Sequence, residues 1–138
     1  MAVTYKYTLI CDDARREDNG KMLYIGVYTG GDILVPQLPF ILPSLTFVMA
    51  FSVDTPTRID MRFRVQLLES GQTLMEGRGG GMFTGGQTVL PIRFGNVSLQ
   101  AVGIYNFIVE IDGIQEPIIT EFAVRLNVQQ SGAPQRPR

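Results

Sequence analysis

The chain contains no histidine and no tryptophan, and one cysteine among 138 residues. Histidine is the side chain whose unperturbed pKa lies closest to neutral, so its absence removes the commonest general base and the commonest metal ligand together. Enzymatic chemistry is therefore not expected. A lone Cys11 cannot close an intramolecular disulfide, which excludes a disulfide scaffold and makes a reducing, cytoplasmic compartment the simpler expectation. An excess of charge is lacking too: the formal net charge is −1, which argues against nonspecific binding to nucleic acid or to anionic lipid. No basic stretch followed by an apolar one opens the chain, since Lys6 sits among Thr4, Tyr5, Tyr7 and Thr8, so a secretory signal is not expected. No repeat of fixed period is visible.

Charge is missing altogether from Ile33 to Val53, a run long enough to span a bilayer as a helix. Pro36, Pro39 and Pro43 exclude that reading, because each removes a backbone donor and disfavours helix before it. What remains is a chain that is 45% hydrophobic, enough for one domain with a real core and too short for a second.

Alternation of apolar and polar residues dominates. Val3 to Cys11 reads as a first strand, and Asp12 to Lys21 as a charged loop or single helical turn ending in the Asn19-Gly20 turn pair. Met22 to Tyr28 is a second strand and Ile33 to Val35 a short third, followed by an extended connector over Pro36 to Pro43. Leu45 to Val53, apolar on both faces, is expected in the middle of a sheet. Arg58 to Glu69 alternates most clearly: Met61, Phe63 and Val65 are expected inside, Arg62 and Arg64 outside. Gly77 to Gly86, with six glycines, reads as a mobile loop. Thr88 to Phe94 resumes strand character, at an edge or bulge because of Pro91. Gly103 to Asp112 and Glu121 to Val128 close the domain. The expected architecture is all-β: a single-domain sandwich over residues 1–128 with about eight or nine short strands, and a disordered tail over 129–138.

Two resemblances add to this. The run Gly103-Ile104-Tyr105, leading into Asn106 and Phe107, resembles the approach to the penultimate strand of immunoglobulin-like sandwiches, where such a tyrosine often forms a tyrosine corner. It implies a Tyr105 hydroxyl bonded to backbone near Leu99 to Ala101. The run Cys11-Asp12-Asp13, Arg15 and Glu17, then Ile25-Gly26-Val27-Tyr28 and the prolines Pro36, Pro39 and Pro43, resembles a family of short uncharacterised bacterial proteins, a domain of unknown function. That resemblance implies a bacterial, β-rich protein and carries no activity with it.

Candidate sites are few. Asp12, Asp13, Glu17 and Asp18 gather oxygen ligands that could serve a divalent cation such as Ca²⁺, but their spacing is not that of an EF-hand and Arg15 and Arg16 can neutralise them. The glycine run lacks a G-K-[ST] ending and a following helix, so no phosphate loop is expected. Cys11 has no histidine to activate it and reads as a small buried hydrophobe. Arg58, Arg62 and Arg64, with Arg93 a possible addition, are a candidate patch for an acidic partner; a plain solvated strand face relieved by Asp60 and Glu69 is the simpler alternative. Leu38, Phe40 and Leu42 either cap the core or meet another subunit. The expected role is a non-enzymatic protein-interaction or structural module, self-association included, without cofactor, nucleic acid or membrane. The alternatives are a cation-dependent ligand-binding sandwich using residues 12–19, and a phage or assembly subunit.

Overall fold

The computed structural model describes residues 3–127, and the tail 129–138 lies outside them. Nine strands follow in chain order: β1 (Val3–Arg16), β2 (Met22–Val27), β3 (Asp32–Val35), β4 (Phe40–Val53), β5 (Thr57–Leu67), β6 (Thr73–Phe83), β7 (Gly86–Leu99), β8 (Gly103–Ile111) and β9 (Ile118–Leu126). They form a four-stranded sheet, β2-β1-β4-β7, and a five-stranded sheet, β3-β9-β8-β5-β6. All neighbours are antiparallel except β3 and β9. The chain is a single-domain all-β sandwich. Among the described residues no helix is long and apolar enough to cross a membrane; Ile33 to Val53 supplies β3 and β4 instead.

The strand β4 holds the four-stranded sheet because both of its faces are apolar. Leu45, Phe47, Met49, Phe51 and Val53 point into the core, while Val48 and Ala50, on the opposite face, are also buried. Phe47 is the hub between the sheets: its ring stacks on Phe107 of β8 at 4.0 Å between centroids and lies 5.7 Å from Phe122 of β9. A fully buried side chain of this size contributes about 1.5–3 kcal/mol before chain entropy is subtracted. On β8, the Tyr105 hydroxyl donates to the Ala101 carbonyl at 2.7 Å, the bond of a tyrosine corner.

Several local expectations are corrected. The acidic segment is not a loop from Asp12 onward: β1 runs to Arg16, and the turn is confined to residues 17–21, closed by Glu17 N–H donating to the Lys21 carbonyl. The outer partner that keeps Asp12 and Asp13 extended is β2, paired from Cys11–Val27 to Arg16–Met22. The extended connector ends at Pro39, because Phe40 to Pro43 already belong to β4; Pro43 is tolerated there since pairing with β1 reaches only Thr46. Pro91 does stand on an edge strand, β7.

The glycine run is also not a free loop. Gly77, Gly79, Gly80 and Gly81 lie within β6, in register with β5 from Thr57–Phe83 to Val65–Met75. The glycines are there for space: a Cβ on Gly77 would sit 2.7 Å from the Phe63 ring, and one on Gly80 would strike the Ile59 carbonyl oxygen. The same glycines correct the burial of Phe63. Met61 and Val65 are buried as the alternation predicts, but Phe63 is only half-buried, because on the β6 side its cross-strand neighbour Gly77 and the nearby Gly79 have no side chains to cover it.

Candidate functional site

Acidic residues of the first strand come together with partners of their own. The Asp12 carboxylate accepts the Tyr28 hydroxyl at 2.6 Å, and its backbone carbonyl accepts Ser44 Oγ at 2.6 Å and Thr46 Oγ1 at 3.2 Å. Gly26 makes room for that carboxylate: at φ +67° it adopts a backbone that favours glycine, and a Cβ there would collide with Asp12 Oδ2. Burial, and then the bond to Asp12, push the Tyr28 phenol up from its usual value. Asp13 faces Arg15 at 3.2 Å and Arg93 at 3.6 Å. Glu17 and Asp18 are exposed at the turn. Among the described residues no group of three or more acidic or cysteine side chains is disposed to hold a metal ion. The spacing Cys-Asp-Asp and Ile-Gly-x-Tyr thus reads as a clamp between β1, β2 and β4. Cys11 is fully buried, and burial, then the charges of Asp12 and Asp13, push its thiol up from 9.0, so it is held as the protonated, unreactive form.

The Pro-spaced residues pack within their own chain. Leu42 is buried, and Leu38 and Phe40 are partly buried against the core. Their apolar neighbour Ile41, facing the other way on β4, stays exposed.

The arginines form a patterned face. Alternation on β5 brings Arg58, Asp60, Arg62 and Arg64 to the outward side of the five-stranded sheet, opposite Met82, Gly80, Arg78 and Glu76 of β6. On the other flank Glu110 of β8 lies opposite Arg62. Glu110 Oε1 is shared by Arg64 at 3.3 Å and Arg62 at 3.7 Å. Arg93 does not belong to this face: it sits on β7 of the other sheet, paired with Asp13. Arg78, which the strand alternation of β5 gave no means of anticipating, is instead the fourth arginine of the face. A shallow depression of about 400 Å³ opens here, lined by Arg62, Arg64, Arg78, Glu76 and Glu110.

The four sheet edges differ in how they are protected. An open edge offers unpaired N–H and C=O groups to any passing strand, and charge, proline, brevity or irregularity block it. The edge strand β7 carries Pro91 and a residue at positive φ, Asn96. Its neighbour across the sandwich, β6, carries Glu76, Arg78 and a run of glycines, and β3 is four residues long and ends before Pro36. By contrast β2 has six residues, none charged and none proline, with Leu23, Ile25 and Val27 exposed at 47%, 42% and 37%. Its one irregularity is Gly26.

Fold and surfaces together define an all-β sandwich domain with one unprotected edge and one arginine-bearing face. The chain belongs to DUF6941, a family of unknown function, whose model matches residues 6–125. No curated protein matches it significantly. Among solved structures it is similar to a β-glucosidase, EmGH1 from Erythrobacter marinus, at a TM-score of 0.50 and 11% identity. That likeness covers 88% of this chain but only 15% of the glucosidase; at such identity it speaks for the fold alone.

Proposed function

We propose that the domain is a non-enzymatic interaction module that accepts a strand from a partner protein at β2, extending its four-stranded sheet. One observation carries the reading: β2 is the edge that lacks proline and charge, and it presents three exposed aliphatic side chains. Strand addition takes affinity from backbone hydrogen bonds and specificity from alternate side chains, and needs neither cofactor nor catalytic group. The absence of histidine from the sequence fits such a role. A reducing bacterial cytoplasm suits it as well, since the single thiol is buried and needs no oxidising partner. The tyrosine-corner bond supports the immunoglobulin-like reading of the C-terminal strands.

The test is a matched pair of baits, wild type and Leu23→Lys, with Ile25→Lys as a second edge variant. A charge on an edge strand opposes pairing while leaving the fold intact. Proteins retained by wild type and lost from both variants, with unchanged far-ultraviolet circular dichroism, are the expected result. Light scattering separates a foreign strand from a second copy, because only the latter doubles the mass of the purified chain. Identical retention by all three baits, together with a monomer mass throughout, overturns the proposal.

A further inference from the structure

We infer that the depression on the outward face of β5 and β6 binds a single carboxylate, presented by an acidic peptide segment of a partner protein, in the gap between Arg62 and Arg78. This site lies on the other sheet from β2 and does not depend on strand addition there.

The register makes the first argument. Arg62 and Arg78 are direct cross-strand partners, and like charges placed opposite one another on an antiparallel pair destabilise it. The sheet offers them little relief. Glu110 is divided between Arg62 and Arg64 through one oxygen, with the Arg62 contact the longer at 3.7 Å. Arg78 makes no ion pair among the described residues, and of its same-face neighbours along β6, Gly80 has no side chain and Glu76 is not paired with it. Both arginines also line a second hollow, of about 300 Å³, on the side of Asp60 and Asp112. They form a ridge open from either flank. Two planar guanidiniums facing each other across a strand pair can each direct N–H donors at a carboxylate placed between them.

Charge counting selects the ligand. Within the first depression, three guanidiniums against the carboxylates of Glu76 and Glu110 leave one positive charge; on the other flank Asp60 is already paired with Arg58, and Asp112 lines the second hollow, so the excess is confined to the first. One carboxylate neutralises it. The second charge of a phosphate dianion, or the next phosphate of a nucleic acid, would meet Glu76 and Glu110 instead, and the net charge of −1 for the whole chain adds no long-range attraction for a polyanion. The elements packed against the ridge therefore favour an isolated Asp or Glu side chain over a phosphorylated or polyanionic partner.

The experiment follows the arginine Nε–Hε resonances of the full chain by NMR while adding the peptide Ac-Gly-Glu-Gly-amide, its Gln counterpart, or inorganic phosphate. The expected result is a saturable shift at Arg62 and Arg78 that exceeds any change at Arg58 and Arg125. It should be absent with the Gln peptide, and lost in Arg78→Gln, whose side chain is exposed on an edge strand and whose folding is checked by the amide spectrum. Arg62→Gln serves as the second variant. Equal, unsaturable shifts at every arginine would reduce the effect to bulk ionic strength and overturn the inference. A response to the Gln peptide matching that to the Glu peptide, or phosphate binding more tightly than the Glu peptide, would overturn the assignment to a carboxylate.

Discussion

The two sheets solve the same packing problem with opposite materials. In the four-stranded sheet, β4 is flanked by β1 and β7 and buries both faces, with Thr46 as its buried polar side chain tied to the Asp12 carbonyl. In the five-stranded sheet, β5 is flanked by β8 and by a glycine-rich β6, and one of its faces is a checkerboard of arginines and carboxylates. Strand β4 needs bulk on both sides; β5 needs its outer neighbour to be thin. The lesson is that a glycine run inside a sheet can be a fitting for a neighbouring aromatic ring, and that the covering it fails to provide leaves that ring, Phe63, only partly buried.

The comparison is broken most forcefully at its two phenylalanines. Phe47→Ala removes the ring that joins β4 to β8 and β9 and should cost about 3–5 kcal/mol, the usual range for a buried Phe truncated to Ala. Phe63→Ala, on the half-covered strand, should fall below the lower end of that range, since part of its ring already meets solvent. Urea denaturation of both variants settles the order. Equal losses would mean that β6 covers Phe63 as well as the other sheet covers Phe47.

Within β6 the glycines can be sorted by what a methyl group would strike. Gly80→Ala drives a Cβ into the backbone carbonyl of Ile59 and should cost about 1–3 kcal/mol, as overpacking does. Gly79→Ala meets the Phe63 ring at an ordinary 3.5 Å, so restricting the unfolded chain should leave it neutral or more stable by about 0.4–1 kcal/mol. Melting temperatures moving in opposite directions are the expected outcome. A loss at both positions would show that β6 tolerates no side chain at all and is thinner than the contact distances imply.

The smallest effect sharpens the contrast between the sheets at high pH. Tyr28 donates to the Asp12 carboxylate, and Tyr105 to a backbone carbonyl. Both phenols are raised above 10.0 by burial, but only Tyr28 has a carboxylate adding to the rise. A raised folded pKa means that the stabilisation is fully present below the unfolded value and is lost as pH climbs toward the folded one. Stability should therefore decline as pH passes about 10, and Tyr28→Phe should flatten that decline more than Tyr105→Phe does. Thermal melts from neutral to strongly alkaline pH measure it; equal flattening would remove Asp12 as the source of the difference.

Much of the fold was legible because a period of two cannot hide. The inward set on β5, the buried centre of β4 and the edge position of Pro91 all follow from residue type and spacing. Composition failed where a residue serves a distant neighbour. Glycines are read locally as freedom, and nothing near Gly77 in the chain points to Phe63, fourteen residues earlier in sequence and directly opposite in space. Acidic residues are read locally as solvated, yet Asp12 is held by Tyr28, Ser44 and Thr46. Arg93 and Arg78 exchanged places for the same reason: alternation gives a side of a strand, not the sheet to which the strand belongs.

The sequence by itself determined that the chain is an all-β domain with a disulfide-free core and no histidine chemistry, since side-chain periodicity and composition depend on no partner strand. Only the tertiary structure decided which strands are edges, that β2 is the unguarded one, and that Arg62 faces Arg78. Those properties arise from pairings between segments remote in sequence, and register is fixed when apolar faces from the whole chain are buried at once.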